Sequence, residues 1–371
     1  MISFAEMTVS LVAVVTDARR DGRRIIGFGF NSNGRYAQPG LLRERFIPRL
    51  VGAPGPALLD ETGANLDPAR AWAQMMRNEK PGGHGERSVA VGILDMALWD
   101  IVAKLEARPL AAVLADRFGN GRVAERVPVY AAGGYYYPGR NTLEVRDEMS
   151  RYLALGYTTL KMKIGGTSLA EDLARIEAVL DLVPGGAALA VDANGRFESE
   201  AAADYAAALT PHGLRWFEEP GDPLDFALLA DVAGRYPPSL ATGENLFSAV
   251  DARNLLRYGG LRPDRDILQF DPALSYGVVE FLRTLEVMAA HGWPRATCWP
   301  HGGHLLNLHL ASGLGLGGVE SYPAVFAPFG GFADTTPVAD GLVGVPGAPG
   351  LGLETKAALR PLLEQLTGDL T

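Results

Sequence analysis

The chain of 371 residues is 47% hydrophobic and 21% charged, enough for one barrel with an attached domain or for two compact units. Its net charge of −9 and pI near 5.3 argue against a nucleic-acid partner, since no block of Lys or Arg offers a phosphate footprint. No run approaches eighteen uninterrupted apolar residues, and the single cysteine, Cys298, cannot form an intrachain disulfide, so a cytoplasmic enzyme without membrane partners is expected.

Residues 1–120 read as two or three strands followed by helices, with the first strand truncated. Two loops here are rich in turn residues, FNSNGRY with Asn33 and KPGGHGER with His84, and turn chemistry alone accounts for either. Residues 86–107 are apolar around most of a helical circumference, as a buried helix is. From about Pro128 short apolar runs alternate with amphipathic stretches such as 170–182 and 275–290. The strand-like runs are 127–133, 158–163, 189–194, 214–220, 239–245, 267–271, 297–301 and 317–321. Eight strands and seven helices predict a (β/α)7β TIM-like barrel over 121–331, with its site at the strand C-termini. Residues 332–353 are rich in Gly and Pro, and 354–366 reads as a terminal helix. The segment 332–371 is expected to return to 1–120 and complete an α+β capping domain over the barrel mouth.

The chemistry is concentrated where those strands end. Lys161 and Lys163 close the second, Asp192 the third, Glu218 the fourth, Glu244 the fifth, Asp271 the sixth, His301 the seventh and Glu320 the eighth. Asp192, Glu218 and Glu244 follow one another at 26-residue steps, one βα unit each, so three carboxylates converge. Like charges cannot share a dry pocket without a cation, and oxygen-only ligation suits Mg²⁺, with Mn²⁺ as the alternative. Lys161 and Lys163 alternate with Met162 and so face inward together. Their repulsion and a nearby metal predict a pKa lowered toward that of a general base, unless they pair with the site carboxylates. Asp271 and His301 end neighbouring strands, so the carboxylate can hold one imidazole nitrogen and present the other. The GxGxxG match at 313–318 precedes a strand and opens no helix, so it is not a dinucleotide fingerprint. His212, His291 and His309 read as structural or solvated.

The KxK pair at 161–163, DAN at 192–194, FEEP at 217–220, GEN at 243–245 and the Asp271–His301 pair resemble the mandelate racemase subgroup of the enolase superfamily. Through FNSNGRY, KPGGHGERSVAVG, AAGGYYYPG, DARNLLRYGGLRPDRD, PHGGH and GLGLGGVESYP the chain is most similar to the D-tartrate dehydratases. The resemblance implies that Lys163 removes an α-proton, that Asp192, Glu218 and Glu244 hold Mg²⁺, and that His301, oriented by Asp271, protonates the departing hydroxyl. It further implies that Lys161, Asn33, His84, Asn194 and Glu320 hold a small sugar-acid substrate, and that the protein is a homo-oligomer. Dehydration of another sugar acid, racemisation or epimerisation of a 2-hydroxy acid, and a non-catalytic sugar-acid binding protein are the alternative readings.

Overall fold

The computed structural model describes residues 8–32, 35–136 and 142–368, so Asn33 lies outside the described residues. Strands β1 (Leu11–Arg20) and β2 (Arg23–Phe30) form an antiparallel hairpin. Its two-residue turn is Asp21-Gly22, both at positive φ (50° and 80°), the backbone that suits the twist of a tight hairpin. The hairpin lies on the helix Glu86–Leu105, in which residues 88–103 are all buried. Contact is backbone to backbone. A Cβ at Gly27 would stand 2.1 Å from the Ala97 carbonyl oxygen, and one at Gly29 would stand 2.0 Å from that of Ile93.

Buried Asp100 ties three segments together, accepting from Phe28 N (3.0 Å), Leu351 N (2.7 Å) and Lys104 Nζ (2.7 Å). The C-terminal segment thereby reaches the N-terminal one. Its end is a short 3-10 turn, Leu353–Thr355, and the helix Arg360–Thr367, in place of one continuous helix over 354–366.

Six parallel strands follow in chain order around the barrel: β3 (Arg126–Gly133), β4 (Leu160–Lys163), β5 (Leu189–Asp192), β6 (Phe217–Glu218), β7 (Leu240–Thr242) and β8 (Ile267–Leu268). β9 (Val319–Ser321) pairs in parallel with β3 through Tyr130 and Glu320. Between β8 and β9 the predicted strand 297–301 is reduced to one bridge, Leu268 to Cys298, with Trp299 N donating to Leu268 O (2.8 Å) and Gly317 N to Cys298 O (3.0 Å). The segment enters as a 3-10 turn, Arg295–Thr297, and Pro300 has no N–H for a ladder. The ring still closes across it.

Seven described helices separate these segments, several with side-chain caps: Ser168 and Glu171 form a reciprocal capping box, and Ser248 accepts from Asp251 N. One element was not expected: β10 (Leu342–Gly344), antiparallel to the N-terminal half of β3, inside the Gly- and Pro-rich stretch. Asp340 and Gly341, both at positive φ, turn the chain into it. Inside the barrel, Tyr130, Trp216 and Trp299 pack with ring centroids 5.0–6.1 Å apart as an aromatic floor. Among the described residues no helix is long and apolar enough to cross a membrane.

Candidate active site

Short strands whose last residues are ionisable place a ring of charge directly above that floor. Asp192 and Glu218 end β5 and β6 in register, and Glu244 stands two residues beyond β7. All three are buried, and one oxygen from each lies within 4.8 Å of the others. Glu218 Oε2 accepts from Trp216 Nε1 (2.8 Å) and Gln269 Nε2 (2.8 Å), which fixes the carboxylate from below. Glu244 Oε2 is buried without a hydrogen bond, 3.4 Å from His301 Nε2. Burial, and then the Asp192 charge beside it, raise Glu218 to about 8. Three close carboxylates, one of them carrying a buried oxygen without a hydrogen bond, fit a divalent cation such as Mg²⁺ and would suit no softer ion better.

The two lysines of β4 occupy different levels. Lys161, fully buried, stands 2.5 Å from Glu218 Oε1, 2.7 Å from Glu320 Oε1 and 3.4 Å from Asp192 Oδ2. Lys163, two residues nearer the mouth, donates to Asp192 Oδ2 and faces the Tyr135 ring at 5.4 Å. Mutual repulsion is not the ruling influence on Lys163. Burial is the largest single influence and works against its charge, but Asp192, with Tyr135 and Glu244 behind it, overcomes burial and raises the pKa above the ordinary lysine value. Asp192 is correspondingly lowered: burial opposes its charge, and Lys163 and Lys161 overcome it.

On the far side of the triad, His301 Nδ1 stands 3.0 Å from Asp271 Oδ2, whose other oxygen accepts from Ala273 N (2.8 Å). Burial disfavours the imidazolium, but Glu244 and Glu320, then Asp271, raise His301 to about 10. Glu320 accepts from Gly302 N (3.0 Å). Gly302 has φ 110°, and a Cβ there would lie 2.7 Å from Asp271 Oδ2, 2.8 Å from Ser32 Oγ and 3.0 Å from His304 Nε2, so only glycine fits this turn.

The structure thus brings Lys161, Lys163, Asp192, Glu218, Glu244, Asp271, His301 and Glu320 to one mouth. Asn194, half-buried at φ 48°, borders it and donates its backbone N–H to Asp192 Oδ1 (2.8 Å). His84 Nδ1 stands 3.0 Å from the Tyr276 hydroxyl and its Nε2 3.7 Å from Asp251. His309 is structural, accepting Ala111 N–H at Nδ1 and meeting Leu351 O at Nε2.

Sequence reasoning assigned no role to Gln269, to Glu219, whose carboxylate is buried against Asn245 Nδ2 (3.0 Å), or to Tyr322, whose hydroxyl is 3.0 Å from His301 Nε2. Strand alternation from Glu320 is the signal that points Tyr322 inward.

Residues 144–359 match the family described as enolase C-terminal domain-like. Arabinonate dehydratase of Saccharolobus solfataricus is 30% identical over 64% of this chain and 62% of its own length, so the match spans under two thirds of that relative. The 3,6-anhydro-alpha-L-galactonate cycloisomerase of Streptomyces coelicolor is 30% identical over 76% of this chain and 74% of that one. Among solved structures, L-talarate dehydratase from Polaromonas sp. JS666, complexed with Mg and L-glucarate, superposes with a TM-score of 0.71 at 27% identity, covering 95% of this chain and 92% of its own.

Proposed function

The chain belongs to the enolase superfamily, and from that premise we propose that it is a Mg²⁺-dependent sugar-acid dehydratase whose substrate is D-tartrate. One observation carries the mechanism. Lys163 stands beside Asp192 at one end of the acidic triad and His301 beside Glu244 at the other, so a base and an acid bracket whatever the triad holds. The dehydratases among the relatives support the sugar-acid class, and the motifs quoted above support tartrate within it.

Asp192, Glu218 and Glu244 are the residues that would hold the ion. When bound, it stabilises the second negative charge that a carboxylate acquires on losing its α-proton. Lys163 takes that proton as the neutral amine, a form that its ion pair with Asp192 disfavours and that a cation drawing on the Asp192 charge would favour. Lys161, already surrounded by carboxylates, keeps its ammonium charge and holds the substrate carboxylate from beneath. His301, protonated and fixed through Nδ1 by Asp271, supplies the proton with which the β-hydroxyl leaves as water. The enol that remains tautomerises to the keto acid, so D-tartrate gives oxaloacetate plus water. Glu320, Asn194, Asn33 and His84 are proposed to contact the substrate's remaining polar groups.

The test is keto acid formation from a panel of tartrates and longer sugar acids, with Mg²⁺ and with chelator. Metal-dependent turnover of D-tartrate supports the full reading, and turnover of another acid alone replaces the substrate. Solvent deuterium in recovered substrate of inverted configuration, with no keto acid, would sink dehydration in favour of racemisation.

A further inference from the structure

Inward-facing side chains of the barrel stand in two levels. On β4 these are Lys161 below and Lys163 above. β9 repeats the arrangement: Glu320 meets Lys161 in the lower level, Ser321 turns outward to the Tyr157 hydroxyl (2.6 Å), and Tyr322 comes inward again one level nearer the mouth. Tyr322 therefore shares the level of Lys163, where substrate is handled. Its ring is buried and lies edge-on to the His301 imidazole, centroids 6.1 Å apart at 76°. Its hydroxyl is 3.0 Å from Nε2, the nitrogen that Asp271 leaves free.

That contact bears on how a proton can reach substrate. An imidazolium has one hydrogen on Nε2, and here the Tyr322 oxygen lies in hydrogen-bond range of it. A leaving hydroxyl served directly by Nε2 would have to come within about 3 Å of that nitrogen and compete with the phenol for the same hydrogen. A leaving hydroxyl on the far side of the phenol has no such conflict.

We propose, on the basis of the dehydratase reading, that Tyr322 is a catalytic residue: the immediate proton donor in an Asp271–His301–Tyr322 relay. As the β-carbon–oxygen bond breaks, the Tyr322 O–H proton passes to the departing oxygen. The His301 Nε2–H proton passes to the phenol oxygen in the same event. The electron pair left by the α-proton becomes the new carbon–carbon double bond, water departs, the imidazole is neutral and the phenol is restored. The exchange has to be concerted, because burial, and then the Glu320 charge nearby, strongly disfavour a phenolate at this position.

The experiment compares parent and Tyr322→Phe in D2O with the sugar acid that the parent dehydrates, reading keto acid formation and deuterium at the α-carbon of recovered substrate. A lost general acid costs about 10²–10⁴-fold in elimination, so keto acid formation should fall by that factor while α-exchange through Lys163 continues at a rate near parental turnover. A substrate analogue carrying β-chloride, which leaves without a proton, should be processed by Tyr322→Phe within a few-fold of the parent. Parental keto acid formation by the variant overturns the relay. Equal loss of elimination, exchange and chloride release also overturns it, since that is the signature of a packing defect. A parent that gives no keto acid from any sugar acid overturns the dehydratase reading and the relay with it, whereas an active parent matched by its variant overturns the relay alone.

Discussion

Replacing Lys161 with Met keeps the volume of the side chain and removes its charge from beneath three carboxylates. In the parent that charge stands 2.5, 2.7 and 3.4 Å from Glu218, Glu320 and Asp192, all buried. Removing one partner of a buried ion pair costs about 3–5 kcal/mol, because the remaining charge keeps its desolvation penalty. For 371 residues, at about 2.1 cal/mol/K per residue, each kcal/mol shifts the melting temperature by about 1.3 °C. Lys161→Met should therefore melt about 4–6 °C below the parent in chelator at neutral pH, with Mg²⁺ narrowing the gap by supplying charge to two of the three carboxylates.

The acid limb gives the sign of a second test. Burial opposes the Glu320 charge, but Lys161 and then His301 hold its carboxyl at about 2, against an ordinary 4.5. A lowered folded-state pKa contributes stability above about 4.5 that is lost as pH falls toward 2, so the difference between the two proteins should be largest at neutral pH and close across that window. Calorimetry of both proteins from pH 7 to 3, with and without metal, measures it. Equal melting in chelator at pH 7 would refute the reasoning, since it would mean that Asp192 and Glu320, the two partners of Lys161 that stay ionised there, need no counter-charge.

Glu244→Gln, which removes one charge from the proposed metal triad, should abolish most of the metal-induced thermal shift; a parent at a hundredfold excess over Kd gains about 2.7 kcal/mol, and titration calorimetry reads the lost affinity directly. In chelator, Glu218, raised to about 8, retains a proton that the unfolded chain has already released. Stability of the chelated protein should then fall as pH climbs from about 4.5 to 8, and Mg²⁺ should bind more tightly over the same range and level off above it. Gly302→Ala forces a Cβ against Asp271 Oδ2 at φ 110°. It should cost about 1–3 kcal/mol of stability and, by moving the carboxylate that holds His301, reduce kcat by about 10²-fold with a smaller effect on KM, as steady-state kinetics would show.

Much of this architecture is written locally. A strand followed by a helix repeats at nearly constant length, so the 26-residue steps from Asp192 to Glu218 to Glu244 were enough to infer convergence. What escaped was set by partners distant in the chain. The segment 297–301 is nearly ladderless because a 3-10 turn precedes it and Pro300 sits within it. β10 exists only because β3 offers a free edge to Leu342–Gly344. The direction of the Lys163 shift depends on whether burial or the nearby Asp192 charge and its neighbours prevail, a question of distance and depth that spacing cannot answer. Tyr322 was within reach of the alternation rule, but a tyrosine after a strand end is ordinarily packing, and nothing in the sequence tells that its hydroxyl meets Nε2 of His301.

The seat of β2 on the helix Glu86–Leu105 constrains any attempt to retune this protein for a new substrate. With Gly27 and Gly29 pressed onto the carbonyls of Ala97 and Ile93, no side chain lies between strand and helix at those points to be trimmed or enlarged. A library that randomises β2 would mostly collect unfolded chains, and the backbone leading into residues 31–36 is launched from a fixed position whatever those residues are. Variation with a chance of survival begins beyond Ser32, since Asn31 and Ser32 are themselves fully buried. A protein engineer would treat the hairpin and its helix as a chassis and shop for selectivity in the loops bolted to it.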